Sequence, residues 1–225
     1  MAGWWDSSNQ VNYTPTRSVA INFFHKGNFM SKNILLFCNG LSGTGKTTFI
    51  NTYAIPNGFH NLISATTRAR RVEETDGVSY YFRDEKYFET EKFATHLFVN
   101  EVFWKPGDAK WLYGIPEFEI KQNLGADLIY DVIQPRYTRE LMDWFKKHNL
   151  QQQYDFRVAY FTTGLDNFEI AQQRAVMKND LDVRRANTCT MVDFAASRVA
   201  VDYITMPRDD KPNLDLINLV TSRTR

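Results

Sequence analysis

The chain has two cysteines in 225 residues, Cys38 and Cys189, too few for a disulfide framework. Cys38 lies in an apolar run, where a reduced, buried thiol is expected. No run approaches the roughly 18 apolar residues that a membrane span needs. The first 29 residues lack the basic start and apolar stretch of a signal peptide. A reduced, cytoplasmic setting with no membrane partner is therefore expected. An excess of one charge is also missing. The formal net charge is +1, which counts against a long nucleic acid as the main partner. Basic residues cluster only locally, at Arg68 to Arg71 and at Arg184 and Arg185, a pattern that suits a small phosphorylated ligand. Internal repeats and low-complexity tracts are absent, and nothing in the sequence sets an oligomeric state.

What is present is ample material for a core: 43% hydrophobic and 15% aromatic residues, in a length that fits one domain with small inserted subdomains. Residues 1–29 show no clear periodicity and read as an extension of unknown role, with Met30 resembling a natural start. From Asn33 the pattern sharpens. Asn33 to Cys38 (NILLFC) and Ala126 to Ile133 (ADLIYDVI) are apolar runs expected for strands buried on both faces of a parallel sheet. Further short strands are expected at Asn61 to Ser64, Val158 to Phe161 and Val199 to Thr205. Helices are expected from Thr47 to Tyr53, Tyr137 to Lys147, Asn167 to Met177 and Leu214 to Leu219. Residues 65–117 are dense in charge and aromatics and predict a small mixed subdomain. Strand alternating with helix predicts an α/β architecture with a central parallel sheet.

Between the first strand and the first helix stands Gly40-Leu41-Ser42-Gly43-Thr44-Gly45-Lys46-Thr47, followed by Thr48, which matches the P-loop pattern G-x-x-x-x-G-K-[ST]. The glycines let the backbone curl so that N–H groups point at a β-phosphate, and the helix N-terminus adds partial positive charge. Lys46 can bridge the β- and γ-phosphates, and the Thr47 hydroxyl can ligate Mg²⁺. On its own the motif predicts a nucleotide and Mg²⁺ as ligands without saying which reaction follows, since GTPases, ATPases and small-molecule kinases share it.

A second motif runs from Ser64 to Phe82 (SATTRARRVEETDGVSYYF). Guanidinium forks at Arg68 and Arg71 suit a phosphate dianion, a tyrosine hydroxyl can add a third hydrogen bond, and Glu74 can hold one arginine in place. In isolation, Arg68 to Arg71 would read as a solvated basic loop. The whole string resembles the guanylate kinase signature S-x-T-T-R-x-x-R-x-x-E-x-x-G-x-x-Y-x-F at every specified position. With the P-loop, the resemblance is strong over residues 33–82 and collinear to about residue 220. It implies a three-layer P-loop kinase core, an acceptor-binding subdomain at about 65–117, a lid near 178–185, and transfer of the γ-phosphoryl group of ATP to a nucleoside monophosphate, GMP or dGMP first. It further implies that Arg68, Arg71 and Tyr80 hold the acceptor phosphate, that Ser64 approaches the base, and that Tyr113 of a Tyr-Gly pair adds a phosphate contact.

Several positions depart from the family pattern. Ile115 stands where guanylate kinases usually carry a serine or threonine that hydrogen-bonds guanine. The base-reading glutamate falls near Asn100 or, with a one-residue shift, at Glu101. Such a lost hydrogen bond costs about 1–3 kcal/mol, enough to redirect base choice. The lid arginines correspond to Arg174 and to Arg184 or Arg185, with Lys178 in the second place; an ordinary charged helix surface is the plainer reading of Arg174 and Lys178. Asp131 is a candidate for orienting Mg²⁺-bound water or the acceptor, with a structural carboxylate as the alternative. No general base is required, because an acceptor phosphate oxygen is already a nucleophile. Two other readings stay open: a different phosphomonoester acceptor, such as another nucleotide or the ribose bisphosphate of related phosphonate-pathway kinases, and a non-catalytic binding module like the guanylate kinase-like domains of scaffolds. The intact Lys46, Thr47 and loop glycines weigh against the second.

Overall fold

The computed structural model describes residues 32–40, 43–95, 98–99, 111–132, 134–162, 191–205 and 213–222. All of these belong to one unit, Lys32–Arg225, separate from Met1–Ser31. The expectations placed on residues 1–29, Ser42, Glu101, Arg174, Lys178, Arg184 and Arg185 lie outside the described residues, as does the helix predicted at Asn167 to Met177.

The core is a five-stranded, all-parallel sheet. Its strands are β1 (Asn33–Gly40), β2 (His60–Asn61), β7 (Leu128–Val132), β8 (Tyr154–Phe161) and β9 (Tyr203–Thr205), in the order β2-β7-β1-β8-β9. β1 is central, with Cys38 opposite Asp131 of β7 and Gly40 opposite Phe161 of β8. Its continuous apolar run follows from burial on both faces. Leu35 and Phe37 point into one cluster, with Leu141, Trp144 and Phe145 of α4 (Pro135–Lys147) and Phe194 of α5 (Met191–Ser197). Ile34, Leu36 and Cys38 point into the other, with Phe49, Ile50 and Ala54 after the P-loop and Leu216 and Val220 of α6 (Leu214–Thr221). Each fully buried aliphatic or aromatic side chain here contributes about 1.5–3 kcal/mol. The result is the three-layer α/β arrangement expected from the sequence.

Two expectations were too coarse. The helix expected over Thr47 to Tyr53 is a four-residue α-turn, α1 (Lys46–Phe49), that widens into a π-helical turn (Ile50–Ala54) and closes as a 3₁₀ turn (Ile55–Asn57). Such widened turns collect at functional sites. The single strand expected over Asn61 to Ser64 is instead two short ones, β2 in the core sheet and β3 (Ala65–Thr66) in a second sheet, with the chain crossing between them.

That second sheet has four strands in the order β4-β3-β6-β5: β4 (Tyr81–Phe82), β3, β6 (Leu112–Gly114) and β5 (Phe98–Val99). It is mixed, β3 pairing parallel with β4 and antiparallel with β6. Two short helices flank it, α2 (Glu85–Thr90), capped by Asp84, and α3 (Glu117–Gln122). Among the described residues no helix is long and apolar enough to cross a membrane, and Cys38 is a free, buried thiol.

Candidate functional site

In an open parallel sheet, ligands bind beyond the carboxyl ends of the strands. Gly40 ends β1 there, and its backbone explains why glycine is needed. It has φ +146°, and a Cβ at this point would lie 2.3 Å from the Phe161 carbonyl oxygen. Gly43 and Gly45 also take positive φ, and Gly45 caps α1 in the left-handed conformation. The loop that results leads directly into a helix N-terminus, whose amides and dipole favour an anion.

Lys46 is 5% exposed, and its Nζ donates to the Gly40 carbonyl at 2.9 Å. The same ammonium lies 3.6 Å from Asp131 Oδ1. Thr47 is exposed, and its hydroxyl donates to the other oxygen, Asp131 Oδ2, at 3.4 Å. One carboxylate at the end of β7 thus meets both chemically active residues of the loop. Thr44 is buried and Thr48 exposed. The donor set fits Mg²⁺ and a nucleoside triphosphate: hard oxygens from Thr47 and Asp131 for the cation, and an ammonium with helix N-terminal amides for phosphates. Asp131 also bears on Cys38, which it faces across the ladder. Burial pushes the thiol well up and the carboxylate adds to this, with Lys46 opposing; the thiol stays protonated and inert.

The second cluster gathers on β3, β4 and β6. Arg68, 7% exposed, donates from Nη2 to Glu74 Oε1 at 2.6 Å. The other oxygen of Glu74 accepts from the Arg71 amide at 2.8 Å, so one carboxylate straps the basic turn closed. Burial alone would raise the Glu74 carboxyl, but the Arg68 bond, the Arg71 amide and both positive charges bring it below its usual range. Burial likewise works against the Arg68 charge, and the Glu74 bond together with the Tyr113, Glu74 and Tyr80 groups around it more than restores it. The guanidinium carbon sits 5.4 Å from the centre of the Tyr80 ring and 5.7 Å from that of Phe82. Tyr80 packs edge-on against Tyr113 at 6.0 Å. Burial raises the Tyr113 hydroxyl, while the Arg68 guanidinium and the Thr66 side chain act to lower it. Burial, then the neighbouring Tyr113 and the Asp131 carboxylate, push the Tyr80 hydroxyl up, so it remains a donor. Arg71 carries its side chain at the exposed rim.

Ser64 lies at the crossing between the sheets. Its carbonyl accepts from the Tyr81 amide at 2.9 Å, and burial raises the hydroxyl of Tyr130, with the Ser64 side chain acting to lower it. Ile115 is 0% exposed, packed with Leu62, Ala94 and Ile120. Its amide donates to Thr95 Oγ1 at 3.1 Å and its carbonyl accepts from Ala94. That position is core, with no hydroxyl to offer. Thr66, Phe82 and Tyr130 were missed from the sequence. Phe82 closes the second motif and so had a signal, whereas Tyr130 sits inside an apolar run and had none.

No family model matches the chain. It is similar to guanylate kinases from several bacteria. It is 37% identical over 108 residues to that of Carboxydothermus hydrogenoformans, covering 46% of this chain and 50% of that one. It is 29% identical over 160 residues to that of Helicobacter hepaticus, covering 69% and 72%. A solved guanylate kinase from Anaplasma phagocytophilum aligns at a TM-score of 0.45 and 16% identity, over 85% of this chain and 84% of that one. The chain spans about half the length of the Carboxydothermus hydrogenoformans and Rickettsia prowazekii proteins it matches.

Proposed function

We propose that this chain, which belongs with the guanylate kinases, transfers the γ-phosphoryl group of ATP to a nucleoside monophosphate, GMP or dGMP first. The observation that carries this reading is Asp131. It meets both Lys46 and Thr47 of the phosphate loop, which puts a carboxylate where a Mg²⁺-bound phosphate donor would need one.

In this reading Gly40, Ser42, Gly43, Thr44, Gly45 and Thr48 shape the donor loop around the ATP phosphates, and Lys46 swings from Gly40 and Asp131 onto their oxygens. Thr47 and Asp131 would hold Mg²⁺ and its water; when bound, the cation neutralises charge between the phosphates. Arg68, Arg71, Tyr80 and Tyr113 hold the acceptor phosphate, with Glu74 fixing the arginine fork and Ser64 facing the base. The bond between the β–γ bridging oxygen and the γ-phosphorus breaks, and one forms from an acceptor phosphate oxygen, giving ADP and a nucleoside diphosphate. Arg174 and Arg184 are the sequence candidates for charge stabilisation around the migrating group, and Glu101 for base reading. Residues 65–117 act as the acceptor-binding part and residues near 178–185 as the lid, in the reducing setting that the buried Cys38 thiol suits.

Burial of Ile115 favours a second reading, in which the acceptor is another phosphomonoester: the phosphate grip is intact while a guanine contact is replaced by core. A coupled ADP-release assay with ATP, Mg²⁺ and GMP, dGMP, AMP, UMP, CMP, dTMP and a ribose bisphosphate decides between them, with Lys46→Ala as control. Turnover of GMP or dGMP, lost in the variant, is the expected result. Turnover of the sugar phosphate alone establishes the second reading, and no turnover of any acceptor overturns both.

A further inference from the structure

Away from the phosphate clusters, one buried carboxylate collects contacts from three parts of the fold. Glu119, in the first turn of α3, is 0% exposed. Its Oε1 lies 2.8 Å from Nε2 of His60 in β2, the edge of the core sheet, and accepts from the Ile63 amide at 3.2 Å. Its Oε2 accepts from the Tyr81 hydroxyl of β4, the edge of the second sheet, at 2.7 Å, and from Gln122 Nε2 at 3.1 Å. A buried carboxylate is tolerated only when its oxygens are filled in this way. Burial and then Glu119 itself raise the Tyr81 hydroxyl, which keeps it a donor.

What Glu119 holds matters more than the bonds themselves. Ile63 precedes Ser64, and Tyr81 follows Tyr80. The two segments are also joined directly, the Tyr81 amide donating to the Ser64 carbonyl. The carboxylate therefore fixes the crossing segment and β4 against each other at the residues next to the acceptor grip, and through His60 it anchors both to the core sheet. Being fully buried, it touches no ligand.

We propose that Glu119 is a positioning residue for acceptor binding, a pin that holds Ser64 and Tyr80 in register with the core sheet that carries the phosphate loop. This rests on the reading of those residues as the acceptor site. Misplacing a binding group by about 1 Å can cost up to 10²-fold, so the pin's loss is felt in acceptor affinity and not in ATP affinity.

Glu119→Gln keeps the shape but leaves one acceptor oxygen, so two of the four donors lose their partner. Tyr81→Phe removes a single donor and covers the case in which the first variant does not fold. Steady-state kinetics with the full chain, varying GMP and ATP in turn, is paired with amide hydrogen exchange of the ligand-free protein. In Glu119→Gln the KM for the acceptor is expected to rise about tenfold and in Tyr81→Phe about threefold, with the KM for ATP unchanged. Exchange accelerates over residues 60–68 and 79–83 while β1 and β8 stay protected. An acceptor KM that moves together with the ATP KM, exchange that rises equally in β1 and β8, or no change in either measurement overturns the proposal. If the unmodified protein turns over no monophosphate, the functional reading fails by itself, and the exchange pattern alone decides whether Glu119 is the pin.

Discussion

The two sheets hold their functional residues by opposite means. In the core sheet, β1 and β8 pair over eight residues, and the phosphate loop leaves from a strand buried on both faces. Position there is a property of the backbone. In the second sheet the strands are two or three residues long and mostly half-buried. Ladders so short cannot fix side chains alone. Arg68, Tyr80 and Tyr113 are held instead by a carboxylate strap, a cation-over-ring contact and edge-on aromatic packing. The comparison teaches that the backbone geometry of the phosphate loop should tolerate side-chain changes that the geometry of the arginine–tyrosine cluster does not.

The largest break is expected at the donor end. Lys46→Ala should lower kcat by about 10²–10³ with the KM of the acceptor unchanged, and the coupled assay with each substrate varied in turn checks it. Next comes the boundary between the regions. Ile115→Ser puts a hydroxyl into packed core and should cost about 2–4 kcal/mol of global stability in urea melts, without giving guanine a new contact. Glu74→Ala leaves the Arg68 charge without its strap and should remove about 1.5–3 kcal/mol of acceptor binding, read as a rise in acceptor KM at constant ATP KM.

The smallest effect is in acid. The Glu74 carboxyl is lower in the folded protein than its ordinary value of 4.5. The stability it contributes is therefore complete above that value and is lost as pH falls through the lower folded one. Urea melts of the unmodified protein should weaken across that window more steeply than those of Glu74→Ala. Parallel curves would mean that the strap carries no proton linkage.

The same contrast governs what could be read from the chain. β1, β7, α4 and the buried half of β8, Val158 to Phe161, were legible because buried elements write an apolar pattern, whereas the half-buried start of β8 was not: Leu35, Phe37, Leu141 and Phe145 each fall where a period requires them. The strap of Glu74 on Arg68 was legible because the motif itself holds both partners six residues apart. Strands of two residues leave no period, so β2 and β3 merged into one expected strand. Glu119 was illegible for a different reason. Within EFEIKQ it looks like one charge of a solvated helix face, and its partners His60 and Tyr81 are 59 and 38 residues away. Ile115 marked a departure in the sequence, but only its place in the core explains why no polar group stands there.

The pairing of β1 with β8 also bears on the order in which the molecule assembles. Asn33 to Gly40 finds its partner in Tyr154 to Phe161, more than a hundred residues further along the chain, and Gly40 takes its shape against the Phe161 carbonyl. Contacts of such sequence separation form slowly, because a long loop must close before they return any free energy. The phosphate loop therefore precedes its partner strand in synthesis by more than a hundred residues and acquires its geometry with that long-range pairing, not with the short helix beside it.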